Sequence, residues 1–441
     1  MKKKIIVSVF FLYAMGMGVS LIACTKKALS ASTTPPAADT GLVNTNHLDN
    51  LYTPVTFSDG TMAAGVYIYS NYPNYTNVEA TGEGFACVDD VSRAVLVYFR
   101  SSTFSSDTSV QSKVYHLVSF LLEMQSSNGY FYNFLFANNL INTAGATSIN
   151  NPNWWSWRAL QTLTEVEPAL QSKNVPLYNK VQQAINKLIA QIKTDLVNLP
   201  ETTSVVNGIT IPQWLPAGSG TDQSSTLILG LINYCTTTND AVISAYIKKL
   251  ADGIMLMQQG DTTHFPYGAF LSWENTWHAY GNLQAYALMQ AGSFLNQPQY
   301  ETGAMAEVDN FYPWLLQDGF QVSFSIDSSA GAIQILSDTN YAQIAYGIEP
   351  MVFAAAEAYK KTGLQKYADM AGHLAAWFLG ANAASVNMYS LSTGICYDGI
   401  SSPGSVNLNS GAESTIEALL TLEIVENNLA IKTAFNKYKK N

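Results

Sequence analysis

From residue 88 onward, apolar residues recur three and four apart and predict helices that come in couples. The couples fall at about 88–102 and 109–125, 154–168 and 176–196, 222–237 and 240–258, 275–292 and 298–317, and 341–361 and 364–379. A sixth opens at about 411 and runs to 427, with a short partner near 430–438. Pro350, inside the fifth, marks a kink or a late start, because proline removes a backbone donor and crowds the preceding turn. Strand-like alternation is confined to short pieces such as 63–69, 208–211 and 321–325. The two members of each couple differ. First members are rich in small residues (GNLQAYAL at 281–288, GAESTIEALL at 411–420), whereas second members such as 181–193 and 241–250 carry lysines on one face. Small residues let helices approach closely and a charged stripe faces water. The pattern therefore predicts an all-α (α/α)6 toroid of six helical hairpins with short β-hairpin loops, its first members inside and its second members outside. An open solenoid of stacked hairpins is the alternative.

The toroid has a functional consequence that the solenoid lacks. If the inner helices run parallel, their six N-terminal lead-ins gather at one mouth, and those lead-ins hold the polar, aromatic stretches of the chain. The first contributes Glu83, Asp89, Asp90 and Arg93, and the second, NPNWWSWR, contributes Trp154, Trp155, Trp157 and Arg158. The third offers Trp214, Asp222 and Gln223; the fourth offers Tyr267, Trp273, Glu274, Asn275, Trp277, His278, Tyr280 and Asn282. The fifth adds Asp338, Asn340, Tyr341 and Tyr346, and the sixth adds Tyr397, Asp398, Asn407, Asn409 and Glu413. Aromatic faces cover the apolar C–H patches of a sugar, amides and acids bind its hydroxyls, and two acids can break its glycosidic bond.

The ends of the chain concern export and not fold. Residues 1–23 begin with three lysines after Met1, continue through an apolar run, and end in Leu21-Ile22-Ala23, the layout of a secretory signal peptide. Leu21-Ile22-Ala23-Cys24 also resembles the bacterial lipobox, which implies lipidation of Cys24 and a membrane anchor; Thr25 in the next position favours an outer-membrane address. Residues 24–48, rich in Ser, Thr, Ala and Pro, read as a lipid-anchored flexible tether, leaving 49–441 as one toroidal domain. A net charge of −10 with scattered basic residues speaks against nucleic-acid binding. Three cysteines besides Cys24 (Cys87, Cys235, Cys396) and five dispersed histidines show neither disulfide framework nor metal-ligand spacing. No cofactor or metal is expected, and the oligomeric state is not readable.

The segments EGFACVDDVSRA, LLEMQSSNGYFYNF (121–134), SWENTWHAYGNLQAYAL and VNLNSGAESTIEALLTL resemble the six-hairpin glycosidase superfamily, most nearly its glycosidase-related bacterial lipoproteins. The resemblance covers most of residues 80–427. It implies (α/α)6 architecture, hydrolysis or sometimes lyase cleavage of glycosidic bonds, and catalytic acids at loop–helix junctions around the mouth.

Four carboxylates are the catalytic candidates. Glu274 stands between Trp273 and Trp277, where apolar neighbours raise a carboxyl pKa and suit a general acid; the plainer reading is an i,i+4 pair with His278 on a helix. Asp89 and Asp90 open a helix, where free N–H groups and the helix dipole favour negative charge. Asp90 could equally be an N-cap, and Asp89 an i,i+4 partner of Arg93. Glu413 follows Ser410 by three, a capping-box spacing, and is held in reserve. Substrate contacts are expected from Glu83, Arg93, Trp154, Trp155, Trp157, Arg158, Asp222, Trp273, Trp277, His278, Tyr280, Asn282, Tyr341, Tyr397, Asp398 and Asn409. The expected function is hydrolysis of an oligo- or polysaccharide, with Glu274 as acid and Asp89 or Asp90 as base or nucleophile. A polysaccharide lyase led by His278 and Tyr280, and a non-catalytic surface glycan-binding protein, are the alternatives.

Overall fold

A computed structural model describes residues 41–440. The signal segment, Cys24 and most of the expected tether lie outside the described residues. The chain from 41 onward already belongs to the domain. Helix α1 (Asn46–Leu51) buries His47, Leu48 and Leu51, and the Asn44 amide N–H donates to the Tyr389 hydroxyl at 3.0 Å. The expected boundary at 48 therefore falls inside a packed helix; the Leu48 and Leu51 that anchor it lie one short turn apart, too brief a period to stand out from a tether.

The helices follow the expected couples. They are α2 (Val88–Arg100) with α3 (Thr108–Glu123), α4 (Trp154–Lys173) with α5 (Val175–Leu196), and α6 (Thr221–Thr238) with α7 (Ala241–Leu256). Next come α8 (Gln284–Leu295) with α9 (Pro298–Ala306), the latter continued through a π-helical turn into α10 (Tyr312–Asp318). Then follow α11 (Glu349–Thr362) with α12 (Gln365–Ala375), and α13 (Ala412–Asn427) with α14 (Leu429–Tyr438). First members are buried on nearly every side, as α2, α6 and α13 show; second members bury one stripe, such as Val181, Ile185, Leu188 and Ile192 on α5. That contrast is the inner-versus-outer signature of the sequence made physical. The inner helices touch in the order α2, α4, α6, α8, α11, α13, and α13 packs back on α2. The ring closes, so the chain is a toroid and not a solenoid. Close approach needs small residues at the contacts: a Cβ at Gly230 on α6 would meet the Gln161 backbone nitrogen of α4 at 2.9 Å.

Two inner helices begin later than periodicity suggests. Residues 275–283 are not helical: Thr276–His278 is a strand that pairs antiparallel with Ser323–Asp327, which in turn pairs with Gln334–Thr339. Alternation of Thr276, Trp277 and His278, with Trp277 turned into the core, was there to be read, but the partner strand lies some fifty residues on. Residues 341–348 are likewise loop and a 3-10 turn, and α11 starts at Glu349 with Pro350 in its first turn, where a missing N–H costs nothing.

Candidate functional site

The entrances of α2 and α13 build the densest cluster of charge in the protein. Arg93 sits one turn into α2 with only 2% of its side chain exposed. Its Nη2 reaches Asp89 Oδ2 and Asp90 Oδ1, both at 2.7 Å, and Glu413 Oε2 at 3.4 Å; its Nη1 donates to Glu417 Oε1. Glu413 and Glu417 share one face of α13 because they are four residues apart, so both meet the same guanidinium. Arg158, from the first turn of α4, places Nε 3.6 Å from Asp89 Oδ1 and donates through Nη2 to the Tyr346 hydroxyl. The Tyr346 ring faces both guanidiniums, 4.9 Å from Arg93 and 5.3 Å from Arg158, a double cation–π arrangement. Gly281 lets Tyr346 in: a Cβ there would meet Tyr346 Oη and Trp154 Cη2, each at 2.9 Å. Tyr346 thus joins residues from α2, α4 and the lead-in to α8, and forms the floor of the mouth.

Exposure separates these acids into roles. Glu417, at 1%, and Asp90 are buried beneath the floor. Burial pushes the Asp90 carboxyl up to about 6 against the pull of Arg93. Asp90 therefore positions Arg93 and does not face a ligand, and the N-cap role falls to Cys87, whose Sγ accepts from the Asp90 N–H at 3.4 Å. Asp89 keeps 22% of its side chain exposed, with Oδ1 buried towards Arg158 and Oδ2 held by Arg93 at 2.7 Å. Glu413 is the open member, with 41% of its side chain exposed. Desolvation by the protein around it raises its pKa to about 7, with Arg93 opposing and the neighbouring acids adding. The capping box expected at Ser410 does not form. Gly411 is the N-cap, Ser410 Oγ serves the Cys396 N–H, and Glu413 turns to Arg93. Glu349, at the start of α11, is buried nearby, and burial raises its pKa well above the carboxylate range, with Glu417 adding to the shift.

Across the ring, between the entrances of α6 and α8, the arrangement differs. His278 Nε2 lies 3.1 Å from Asp222 Oδ2, and Nδ1 lies 2.9 Å from the Tyr280 carbonyl, which can only accept. Both ring nitrogens are engaged, so Asp222 and His278 hold each other and neither is free for substrate. Tyr280 stacks on the imidazole, with ring centroids 3.6 Å apart, and presents its other face to solvent. Glu274 is not on a helix with His278. It sits in the tight turn between Trp273 and Thr276 at φ +48°, its N–H donating to Ser219 Oγ at 3.0 Å, and burial raises its carboxyl pKa. A glutamate at positive φ is unusual and fixes the direction of the side chain.

Of the expected binding residues, Arg93, Arg158, Trp154 and Tyr280 gather at the mouth, and Trp273 stands on the rim with its indole N–H on the Ala217 carbonyl. Others are structural. Trp277 is fully buried and stacks on Phe324; Trp155 is buried with its N–H on the Phe131 carbonyl; Trp157 is buried with its N–H on Gln223 Oε1. Asn282 is fully buried, so it faces no ligand. Asp398 accepts from the Gly411 N–H and Ser414 Oγ, both at 2.8 Å, and so serves the start of α13; Asn409 Oδ1 takes the Tyr72 N–H. Glu83 accepts from Thr147 Oγ1, and Tyr341 and Tyr397 are half-buried against the core. The sequence reading passed over Glu417, Glu349 and Tyr69. The first two were visible as acids inside otherwise apolar inner helices. Tyr69, partly exposed beside the Arg93 cluster, has its phenol pushed up to about 12 by partial desolvation and by Glu83, Asp90 and Glu413. Among the described residues no group of three metal-ligating side chains forms.

No protein-family model matches the chain, and no curated protein matches its sequence. Similarity appears at the level of fold. The cellobiose 2-epimerase of Spirochaeta thermophila superposes with a TM-score of 0.59 at 10% identity, over 88% of this chain and 93% of that one. A sugar epimerase from a ruminal bacterium gives 0.57 at 11% identity, over 82% and 92%. A family 76 glycoside hydrolase from a bovine Bacteroides thetaiotaomicron strain gives 0.53 at 10% identity, over 86% and 75%. The chain therefore has the (α/α)6 toroid fold that these sugar epimerases and glycoside hydrolases share.

Proposed function

We propose that the protein is a carbohydrate-active enzyme that hydrolyses glycosidic bonds at the mouth of the toroid, with Glu413 as general acid and Asp89 as nucleophile. The observation that carries this reading is the Arg93 cluster, where an open glutamic acid with a pKa near 7 stands beside a second carboxylate. Asp89 Oδ2 and Glu413 Oε2 lie 2.7 and 3.4 Å from the same Nη2, so they are within about 6 Å of each other, which suits the retaining arrangement (carboxyls ~5 Å apart) better than the wider inverting one. Glu413 gives its proton to the glycosidic oxygen as the C–O bond breaks, while Asp89 attacks the anomeric carbon and forms an ester. Water then attacks that carbon, Glu413 takes the water's proton, and Asp89 leaves as carboxylate. Arg93 and Arg158 hold Asp89 in place, and Tyr280, Trp154 and Tyr69 offer faces for sugar rings. Glu274, expected as the acid, becomes a hydroxyl-binding residue on the opposite rim.

A lyase or an epimerase needs a base free to take a carbon-bound proton. Both nitrogens of His278 are occupied, and the Tyr280 phenol, raised to about 12 by burial, stays protonated near neutrality. The experiment is a proton NMR time course of product formation on a cleaved glycan, with Asp89→Ala run in the presence of azide. First-formed product of retained configuration, and a glycosyl azide in the variant, support the pair. Inverted product would move the base to Glu274. On the pattern of residues 1–24 the enzyme is exported and anchored through Cys24; Cys24→Ala should shift it from the membrane fraction to the soluble one.

A further inference from the structure

Apart from the Arg93 cluster, a cavity of about 590 Å³ opens between the lead-ins to α4 and α6 and the outer helices α5 and α7. Its size falls within the range of small-ligand sites. Its aromatic lining is the largely buried Trp157, Tyr130 and Tyr246, with Tyr130 and Trp157 meeting edge to face at 5.9 Å. Its polar lining is mostly amide. Asn150 donates to Ser126 Oγ at 2.6 Å, Gln191 to Asp195 Oδ1 at 2.8 Å, and Gln213 to Ser204 Oγ at 2.8 Å. Each of these amides spends one N–H on the protein, which leaves its second N–H as a donor and its carbonyl oxygen as an acceptor. The carboxylate in the lining, Asp195, is also taken up by the Tyr130 hydroxyl, and no lysine, arginine or histidine lines the cavity. Such a lining suits a ligand that both donates and accepts hydrogen bonds, carries no negative charge and has apolar C–H groups for the aromatics.

We infer that this cavity is an accessory saccharide-binding site that takes one or two neutral sugar units beside the catalytic mouth. Its occupant would touch the segment Pro216, Ala217 and Gly218, whose Ala217 carbonyl also holds the Trp273 indole on the rim. A glycan strand seated there is tethered to the protein one loop away from Glu274. The inference rests on the chemistry of the cavity and not on the hydrolase reading.

The test is isothermal titration calorimetry of the full chain with cellotetraose, mannotetraose and xylotetraose. It is run on the wild type, on Gln191→Leu/Gln213→Leu, and on Gln213→Trp, which fills the cavity from its open edge; circular dichroism checks that each variant is folded. The expected result is a saturable site for at least one tetrasaccharide, weakened tenfold or more in both cavity variants and kept in Glu413→Gln. Binding that survives both cavity variants but is lost in Tyr280→Ala would place the sugar at the mouth alone and overturn the inference. No binding to the wild type at millimolar concentration would overturn it as well. An inactive enzyme that still shows the cavity site would sink the hydrolase reading and leave this one standing.

Discussion

On the α2–α13 side of the mouth, four carboxyls converge on Arg93, with Arg158 as a second cation and Glu349 buried close by; on the α6–α8 side, one histidine closes on one aspartate. Both sides lie at the entrances of inner helices, so position in the ring alone does not distinguish them. Charge balance does. Around the arginines acids outnumber cations, and burial makes full ionisation costly, so protons stay on some of the carboxyls near neutral pH. Opposite, Asp222 and His278 pair one to one, with the second imidazole nitrogen on the Tyr280 carbonyl. The proposed proton-donating chemistry sits where the charges do not cancel.

The largest expected effect comes from removing the cation that holds the first side together. Arg93→Met leaves Asp89, Asp90 and Glu417 without their counter-charge, and should cost about 3–5 kcal/mol in denaturant unfolding. His278→Phe strands only Asp222 and should cost about 1–3 kcal/mol. Equal losses would erase the contrast. In turnover, Glu413→Gln should lower kcat by about 10²–10⁴-fold with little change in Tm, whereas Glu274→Gln should stay within about tenfold. The pH dependence sharpens the point. Glu413 must be protonated to act, so the rate should fall as pH rises through about 7. Its folded pKa lies above its unfolded value, as does that of Asp90 at about 6. Each therefore stabilises the fold most below its ordinary carboxylate range and loses that contribution as pH climbs through the raised value. Unfolding midpoints measured from pH 4 to 8 should decline over that window, and less steeply in Glu413→Gln. The smallest effect belongs to the stacking face: Tyr280→Ala should raise KM about two- to tenfold with kcat unchanged, in line with about 0.5–1.5 kcal/mol for an aromatic contact.

Much of this architecture was legible in the sequence because it is local. Small residues on first helices, lysine stripes on second ones, and polar lead-ins before each inner helix follow from positions a few residues apart. Arg93 with Asp89 was legible for the same reason, being spaced by one turn, whereas Asp90, read as an N-cap, also turns to Arg93. What the sequence did not disclose depends on distant partners. Ser410-x-x-Glu413 satisfies the local rule for a capping box, yet Arg93, 320 residues away, draws Glu413 off the helix end. Thr276–His278 looked helical because its strand partner begins at Ser323. His278 looked free for chemistry because Asp222, which occupies it, comes from another hairpin. Asn282 and Trp277 have the composition of a sugar site and the burial of a core.

One comparison tests the central claim most directly: hydrolysis of a panel of oligosaccharides by the wild type, Glu413→Gln and Glu274→Gln, followed by release of reducing ends at pH 6. The account predicts turnover by the wild type, turnover by Glu274→Gln within tenfold of it, and near-complete loss in Glu413→Gln. Wild-type rates in Glu413→Gln, or loss confined to Glu274→Gln, would contradict it and move the chemistry to the other side of the mouth.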